Sequence, residues 1–369
     1  METKEIKLVI SDLHLGSGLL TEEGEYNFKE SFSDDSMLAS FLKFYRTEEY
    51  TDYQVELIIN GDFFEMLEVT EFSKSPFQMT AELACERIKK IIEGHLPVFQ
   101  SLKEFLSTPN KFIRFIPGNH DMAIVFPGVQ ELLRNKIGKN LQFSTISYSF
   151  SDVYVEHGNQ HHLCTQFDLD NLITNKEGKA ILNLDWGSLM GYYHIYKDKN
   201  EVFTTPYNII PAFKMLKWLL VHSFVFAVKW IVLFIFYSFK SLYVLKHKNK
   251  NWTFVFTLIK TLLTEDFSRS LEKTAKKMLL ETNYNKVVFG HSHSYRFREY
   301  SPNKIYVNTG GWIKVTNLAT HSLGTWKKFC YAYIEVNGDS SSIELKEWKG
   351  IHVPDLTIAG QKNKIDHER

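Results

Sequence analysis

Short apolar runs, each closed by polar residues, set the rhythm of the first third of the chain. Residues 6–10 run into Ser11-Asp12-Leu13-His14, 55–60 into Gly61-Asp62, and 112–116 into Pro117-Gly118-Asn119-His120-Asp121. Five or six apolar or β-branched residues ending in a polar turn predict a buried strand. Between them, residues 37–45 and 81–105 place apolar side chains three and four apart, the spacing of amphipathic helices. Strand, helix, strand, helix, strand predicts a parallel α/β sheet with right-handed crossovers. Open sheets of this kind hold their ligands at the carboxyl ends of the strands, where each polar turn falls.

After His120 the pattern changes. Residues 143–150 and 153–156 alternate around Ser151-Asp152 and predict a hairpin. Strand patterns return at 286–289, 304–308, 330–336 and 342–348, which predict a second sheet, mostly antiparallel. Between 163 and 283 the strand pattern gives way to a helical insertion. No internal repeat or low-complexity tract interrupts the chain, and its polar end, 360–369, is expected to fray.

Composition narrows the function classes. The chain has 369 residues, 44% hydrophobic and 23% charged, which suits a folded protein with a large core. Lys+Arg and Asp+Glu are both 43, so a generally basic nucleic-acid binder is disfavoured. Cys85, Cys164 and Cys330 are too few and scattered for a disulfide framework or a thiolate metal site, and a reducing cytoplasm is the expected compartment. The first apolar run lacks the length and cleavage site of a signal peptide.

The chemistry sits at the strand ends. Asp12-Leu13-His14, Gly61-Asp62, Gly118-Asn119-His120-Asp121, Glu156-His157-Gly158 and Gly290-His291-Ser292-His293 offer Asp12, His14, Asp62, Asn119, His120, His157, His291 and His293 as metal-capable groups. Each string alone is weak, since such residues often satisfy turns. In this order, each behind a predicted strand, they are specific. Imidazole and carboxylate without thiolate suit Mn²⁺, Fe or Zn²⁺. A central carboxylate such as Asp62 could bridge two cations, and a metal pair can clamp both oxygens of a phosphoryl displacement.

These five strings resemble the calcineurin-like metallophosphoesterase superfamily over residues 9–157 and 286–312. The resemblance implies a four-layer α/β/β/α sandwich with the site where the two sheets meet. It implies one metal on Asp12, His14, Asp62 and His293, and a second on Asp62, Asn119, His157 and His291. It makes His120 the catalytic histidine, binding phosphate with Asn119 or serving the leaving group, with Asp121 orienting its ring. Two divalent cations, Mn²⁺ foremost, would support hydrolysis of a phosphodiester or pyrophosphate bond by a hydroxide bridging them. The segments Ser11–Leu15 and Gly61–Glu65 are similar to the bacterial UDP-2,3-diacylglucosamine pyrophosphatase branch, whose substrate is lipid-linked. This chain is longer, and Asn159-Gln160-His161-His162 follows Glu156-His157-Gly158 where that branch has an Asp. His161 and His162 read as polar loop positions.

The expected division is 1–162 and 284–350 for the two parts of the phosphoesterase domain, 163–283 for the insertion and 351–369 for a tail. Within the insertion, residues 218–236 contain sixteen apolar residues out of nineteen, the exceptions being His222, Ser223 and Lys229. Such a segment is a membrane-docking element, a lid over acyl chains or a buried core helix. One crossing of a bilayer would separate Asp12, His14, Asp62 and Asn119 from His291 and His293. Residues 252–263 are too short for a second crossing, and Lys229 at mid-bilayer would cost about 2.5–3.5 kcal/mol. On one continuous helix His222, Lys229, Lys240 and His247 would form a polar stripe for an anionic interface.

The expected function is therefore a dinuclear phosphoesterase on a phosphorylated or diphosphate substrate, lipid-linked by preference. It would be cytoplasmic and peripheral on the inner membrane face, without nucleic acid as partner. The alternatives are a soluble nucleotide phosphodiesterase or nuclease, then a phosphoprotein phosphatase or a scaffold that has lost catalysis.

Overall fold

The computed structural model describes residues 4–67, 79–191, 209–210, 212–244, 252–264, 267–318, 323–351 and 355–360. Two sheets form its centre. The larger runs Asp355–Gly360, Ser340–Trp348, Cys330–Asn337, Glu5–Ile10, Gln54–Asn60, Lys111–Ile116, Gln142–Phe143. Glu5–Ile10, Gln54–Asn60, Lys111–Ile116 and Gln142–Phe143 are parallel, and the other three strands add on antiparallel. The smaller sheet runs Arg296–Ser301, Lys304–Asn308, Lys286–Phe289, Val153–Glu156, Ser147–Phe150.

Side-chain alternation explains why these strands read as unbroken apolar runs. On Glu5–Ile10, Leu8 and Ile10 face the helices while Val9 faces the second sheet. Val9, Ile58, Ile116, Ala332 and Ile334 meet Val155, Val288 and Val307 in a dry layer between the sheets. Outside the larger sheet, Leu57 and Ile59 pack with Leu38 and Leu42 of Asp35–Arg46, Ile88 of Ala81–Gly94, Phe99 of Leu96–Ser107 and Leu133 of Pro127–Ile137. Outside the smaller one, Val287, Phe289 and Tyr306 pack on Leu271, Ala275 and Leu279 of Phe267–Glu281. Each such side chain, fully buried, contributes roughly 1.5–3 kcal/mol. Helix, sheet, sheet, helix is the four-layer α/β/β/α sandwich.

Several sequence expectations change. The strands near 330 and 342 join the larger sheet, because Cys330–Asn337 pairs along Glu5–Ile10. The smaller sheet is mixed: Lys286–Phe289 pairs parallel with both Val153–Glu156 and Lys304–Asn308. The helix expected over 81–105 breaks at His95, with Pro97 in the first turn of the second piece, where its missing N–H costs nothing. The strand expected over 143–150 divides into Gln142–Phe143 and Ser147–Phe150. Asp355–Gly360 extends the larger sheet into the residues assigned to the tail, and 361–369 lie outside the described residues.

The insertion is not wholly helical. A hairpin, Ile173–Lys176 with Lys179–Leu182, pairs with Met79–Thr80, and Ile209–Ile210 pairs with Val315–Asn317. Its helices are Trp186–Gly191, Ala212–His222, Phe224–Val244, Trp252–Thr264 and Phe267–Glu281. The long apolar segment breaks at Ser223, although Ser223 N–H donates to Leu219 O at 2.8 Å and Ala227 N–H to Ser223 O at 2.9 Å. The expected polar stripe is corrected accordingly. His222 and Lys229 lie on separate helices, His247 falls outside the described residues, and the outward face is chiefly apolar.

Candidate metal centre

The loops that follow the strands are stitched together by backbone hydrogen bonds before any side chain acts. Asp12 N–H donates to Gly61 O at 3.1 Å, His14 N–H to Asp62 O at 2.9 Å and Leu15 N–H to Phe63 O at 2.9 Å. The two sheets are tied at the same level. Trp312 N–H donates to Asp12 O at 3.2 Å and Asn60 Nδ2 to Glu156 O at 2.9 Å, while within the smaller sheet Gly290 N–H donates to His157 O at 2.9 Å. The loop residues thus share one small volume although up to 281 positions separate Asp12 from His293.

Tight turns aim the side chains. Asp12, His14, Asp62, His291 and His293 all have left-handed backbone, with φ of 55°, 51°, 50°, 64° and 53°. That region costs non-glycine residues about 1–3 kcal/mol each, and such strain concentrates where side-chain placement matters more than backbone comfort. Two glycines make room. Gly61 has φ +80° and a Cβ there would collide with the His157 ring, while a Cβ on Gly118 would collide with the Asp62 carboxylate.

Three groups of converging donors result: Asp12, His14 and His293; His14, Asp62 and His120; and Asp62, His157 and His291. Asp62 is shared. Its Oδ2 lies 3.1 Å from His157 Nε2 and 3.9 Å from His14 Nε2, and its Oδ1 accepts the His120 backbone N–H at 2.9 Å. His14 Nε2 faces His293 Nε2 at 3.2 Å, and His293 Nε2 lies 3.3 Å from Asp12 Oδ1. Asp12 in turn accepts the His291 backbone N–H at 3.1 and 3.0 Å.

The other ring nitrogens have partners that set the tautomer. His157 Nδ1 lies 2.8 Å from the Asn60 carbonyl and carries a proton, which leaves Nε2 as the atom that would meet a metal. Burial would lower this imidazole, but Asp62 and Asp12 raise it to about 9, so a cation there would displace a proton. His14 Nδ1 stands 3.0 Å from Glu65 Oε2, which leaves its Nε2 in the same role. Asn119 Oδ1 is buried without a hydrogen-bond partner, and His157 Nε2 faces the shared Asp62 carboxylate. Buried oxygen and imidazole acceptors converging on carboxylates fit two divalent cations.

Electrostatics follow from burial and crowding. Asp62 is held well below the usual carboxylate range: burial opposes this, but His157, His120 and His14 surround it. Burial, with His120 and His293 beside it, lowers His14, and burial with His162 and His157 lowers His291 well below its ordinary value. Both therefore stay neutral, the form that ligates metal.

Glu65 carries a role the sequence reading missed. Its Oε2 lies 2.7 Å from His120 Nδ1 as well as against His14. Burial would raise its carboxyl, yet His120 and His14 hold it at about 2. Asp121, expected to orient His120, instead binds backbone: Oδ1 accepts from Gly118 N–H at 2.6 Å, and Oδ2 from Phe63 and Phe64 N–H at 2.9 and 3.3 Å. Its carboxylate locks the two loops together, and the place beside the ring belongs to Glu65. The only local signal was that Glu65 ends the string Gly61-Asp62-Phe63-Phe64-Glu65.

The insertion reaches the same site. Thr165 Oγ1 lies 3.2 Å from His291 Nε2. Asp185, buried and bonded to Ser188 N–H at 3.1 Å, is raised to about 6 by burial, with the charge of His120 acting in the opposite sense. His162, expected as a polar loop position, is buried with its ring 5.1 Å from that of His291. His161 is partly buried, its Nε2 lying 3.3 Å from Glu156 Oε2.

No family model matches this chain, and neither does any curated protein. Among solved structures, a single mutant of Vps29 from Entamoeba histolytica is 9% identical with a TM-score of 0.32, covering 97% of this chain and 99% of its own. A dimetal phosphatase from Danio rerio is 10% identical with a TM-score of 0.38, covering 96% and 99%. Likeness at this level carries no argument about activity; the centre rests on its own geometry.

Proposed function

We propose that this chain is a dinuclear metal-dependent phosphoesterase that hydrolyses a phosphodiester or diphosphate bond in a lipid-linked substrate. The observation that carries the reading is Asp62, one carboxylate shared by two sets of histidine donors. Asp12, His14, Asp62 and His293 would hold one cation, and Asp62, Asn119, His157 and His291 the other. Two such cations supply charge against the phosphoryl oxygens and raise the acidity of water. The donor set suits Mn²⁺, with Fe or Zn²⁺ as substitutes.

His120 is suited to the phosphate itself. Its side chain is 14% exposed, where that of His14 is fully buried, so it can reach a ligand. Glu65 at Nδ1 points Nε2 away from the carboxylate, from where it can bind a phosphoryl oxygen or donate a proton to the departing oxygen. Asp121 positions the loop that bears Asn119 and His120. The lipid-linked preference is supported by the insertion, whose apolar helices adjoin the centre through Cys164 and Trp186.

The test is turnover by the Mn²⁺-loaded protein of bis-p-nitrophenyl phosphate, p-nitrophenyl phosphate and a UDP-linked diacyl sugar. Hydrolysis of the diester and the diphosphate is expected. Turnover of the monoester alone would overturn the bond assignment, and no turnover with two metals bound would overturn the hydrolase reading.

A further inference from the structure

Helix Phe224–Val244 is apolar on both sides. Inward, Leu233, Phe234 and Tyr237 pack with Trp186, Leu189, Met190 and Cys164. Outward, Val225, Val228, Val232 and Ile235 recur at spacings of three and four, so they make one continuous stripe. Val225 is 81% exposed, Val232 60% and Phe236 59%. Trp218 and Val221 on the preceding helix Ala212–His222 are also exposed, at 54% and 76%. Isolated exposed apolar residues are ordinary; a contiguous stripe several turns long marks an interaction surface.

Charge identifies what the surface meets. From residue 202 to 264 the sequence contains no Asp or Glu, while Lys214, Lys217, Lys229, Lys240, Lys246, Lys248, Lys250 and Lys260 all lie in that stretch. The rest of the chain has to carry a compensating negative excess, because the whole is neutral. Lys217, Lys229 and Lys240 are exposed. Lys229 stands one turn from both Val225 and Val232 on the same outward face. A protein partner would have to match apolar side chains and lysines position by position. A bilayer with anionic headgroups meets both at once: the acyl boundary takes Val, Phe and Trp, and the lysines reach the phosphates beside them.

We propose that the outward face of Ala212–His222 and Phe224–Val244 is a docking surface for an anionic lipid bilayer, on which the protein lies without crossing it. Phe224–Ser241 is long and apolar enough to span, and only 22% of it is buried. Spanning is excluded by connectivity. The chain before this helix supplies Asp12, His14 and Asp62 and the chain after it supplies His291 and His293, and all five meet in one centre. Trp252–Thr264, 13 residues, is too short to return the chain. The inner face of the docked helix leads to the centre: Gly187 N–H donates to Cys164 O at 2.6 Å, and the neighbouring Thr165 touches His291. Lipid-borne substrate delivery by this route rests on the phosphoesterase reading; docking itself does not.

Flotation of the full chain with vesicles tests docking apart from activity. The vesicles are phosphatidylcholine alone, or phosphatidylcholine mixed with phosphatidylglycerol. The protein is expected to float with the anionic vesicles roughly tenfold or more in preference to the neutral ones, less so at high salt. The double variant Val225→Asp/Val232→Asp should lose flotation, and Lys217→Glu/Lys229→Glu should lose the anionic preference. Both should turn over bis-p-nitrophenyl phosphate at the rate of the unaltered protein. Absence of flotation by the unaltered protein, or equal flotation by the Asp variant, would overturn the proposal. So would a dimer in sedimentation that the Asp variant dissolves without any vesicle binding. Flotation that follows these rules in a chain with no phosphoesterase turnover would uphold docking and overturn only the proposed activity.

Discussion

At the strand ends of the sandwich, carboxylates and imidazoles are buried against one another, with Asp62, His14 and His157 almost wholly enclosed. Along Phe224–Val244 the arrangement is inverted: valines and a phenylalanine stand outside, and every charged side chain of that helix is a lysine. Folding alone favours neither. Burying charge is costly unless it is paired or bound to metal, and leaving a long apolar stripe in water forgoes the largest favourable contribution to folding. The strained backbone at Asp12, His14, Asp62, His291 and His293 adds to the first cost. Each region becomes intelligible under the proposals made above, cations at the one and an anionic bilayer against the other. Thr165, Asp185 and Trp186 connect them.

The sharpest way to break the sandwich side is Asp62→Ala. One shared carboxylate serves both donor sets, so metal analysis by mass spectrometry should find both positions depleted and turnover reduced by at least about 10³-fold. His14→Ala should deplete mainly one. Retention of two metals by the Asp62 variant would refute the sharing.

Removing chemistry without binding is the next largest effect. His120→Ala should keep its metal and lower turnover on the order of 10²-fold or more. Near-normal turnover would make His120 structural. Glu65 meets both His120 and His14, so Glu65→Gln should lower turnover by about 10–100-fold, as loss of an outer partner does.

A second charged cluster lets stability be separated from activity. His95 sits between Asp35 Oδ1, 2.8 Å from Nδ1, and Glu30 Oε2, 3.3 Å from Nε2. Glu30 in turn accepts the Gly16 N–H at 3.0 Å and Gly18 N–H at 2.7 Å, holding the loop behind His14. Burial alone would lower the imidazole, but the two carboxylates raise it to about 9. A raised folded value means that the stabilisation is complete below the ordinary 6.5 and is lost as pH climbs through about 9. Denaturant unfolding should therefore show about 2 kcal/mol less stability at pH 9 than at pH 7 from this group. His95→Gln should flatten that slope, and an unchanged slope would remove the cluster from the account. The smallest effect belongs to the insertion: Val232→Asp, on an exposed face, should change stability by no more than about 0.5 kcal/mol. A large loss would show the stripe to be packed against protein.

Much of this comparison was legible along the chain. Strands buried on both faces read as continuous apolar runs, and each candidate site residue sits one to four residues beyond such a run, so Asp12, His14, Asp62, Asn119, His120, His157, His291 and His293 could be picked out locally. Glu65 could not, because its meaning depends on His120, 55 positions away, whose ring it meets only after the two loops are joined. Asp121 misled for the converse reason: its neighbour in sequence is His120, while its partners in space are three backbone amides.

By itself the sequence determined which segments are apolar, where they stop, and which chemical groups stand at those stops, since strand and helix periodicity and turn chemistry are local properties. It also determined that residues 202–264 carry only positive charge. The tertiary structure alone decided that Cys330–Asn337 would close on Glu5–Ile10 instead of the smaller sheet, because a strand's partner is chosen by packing across long loops. It decided too which side of Phe224–Val244 faces Trp186 and which faces out, for on a helix apolar all round periodicity cannot distinguish the buried side from the exposed one.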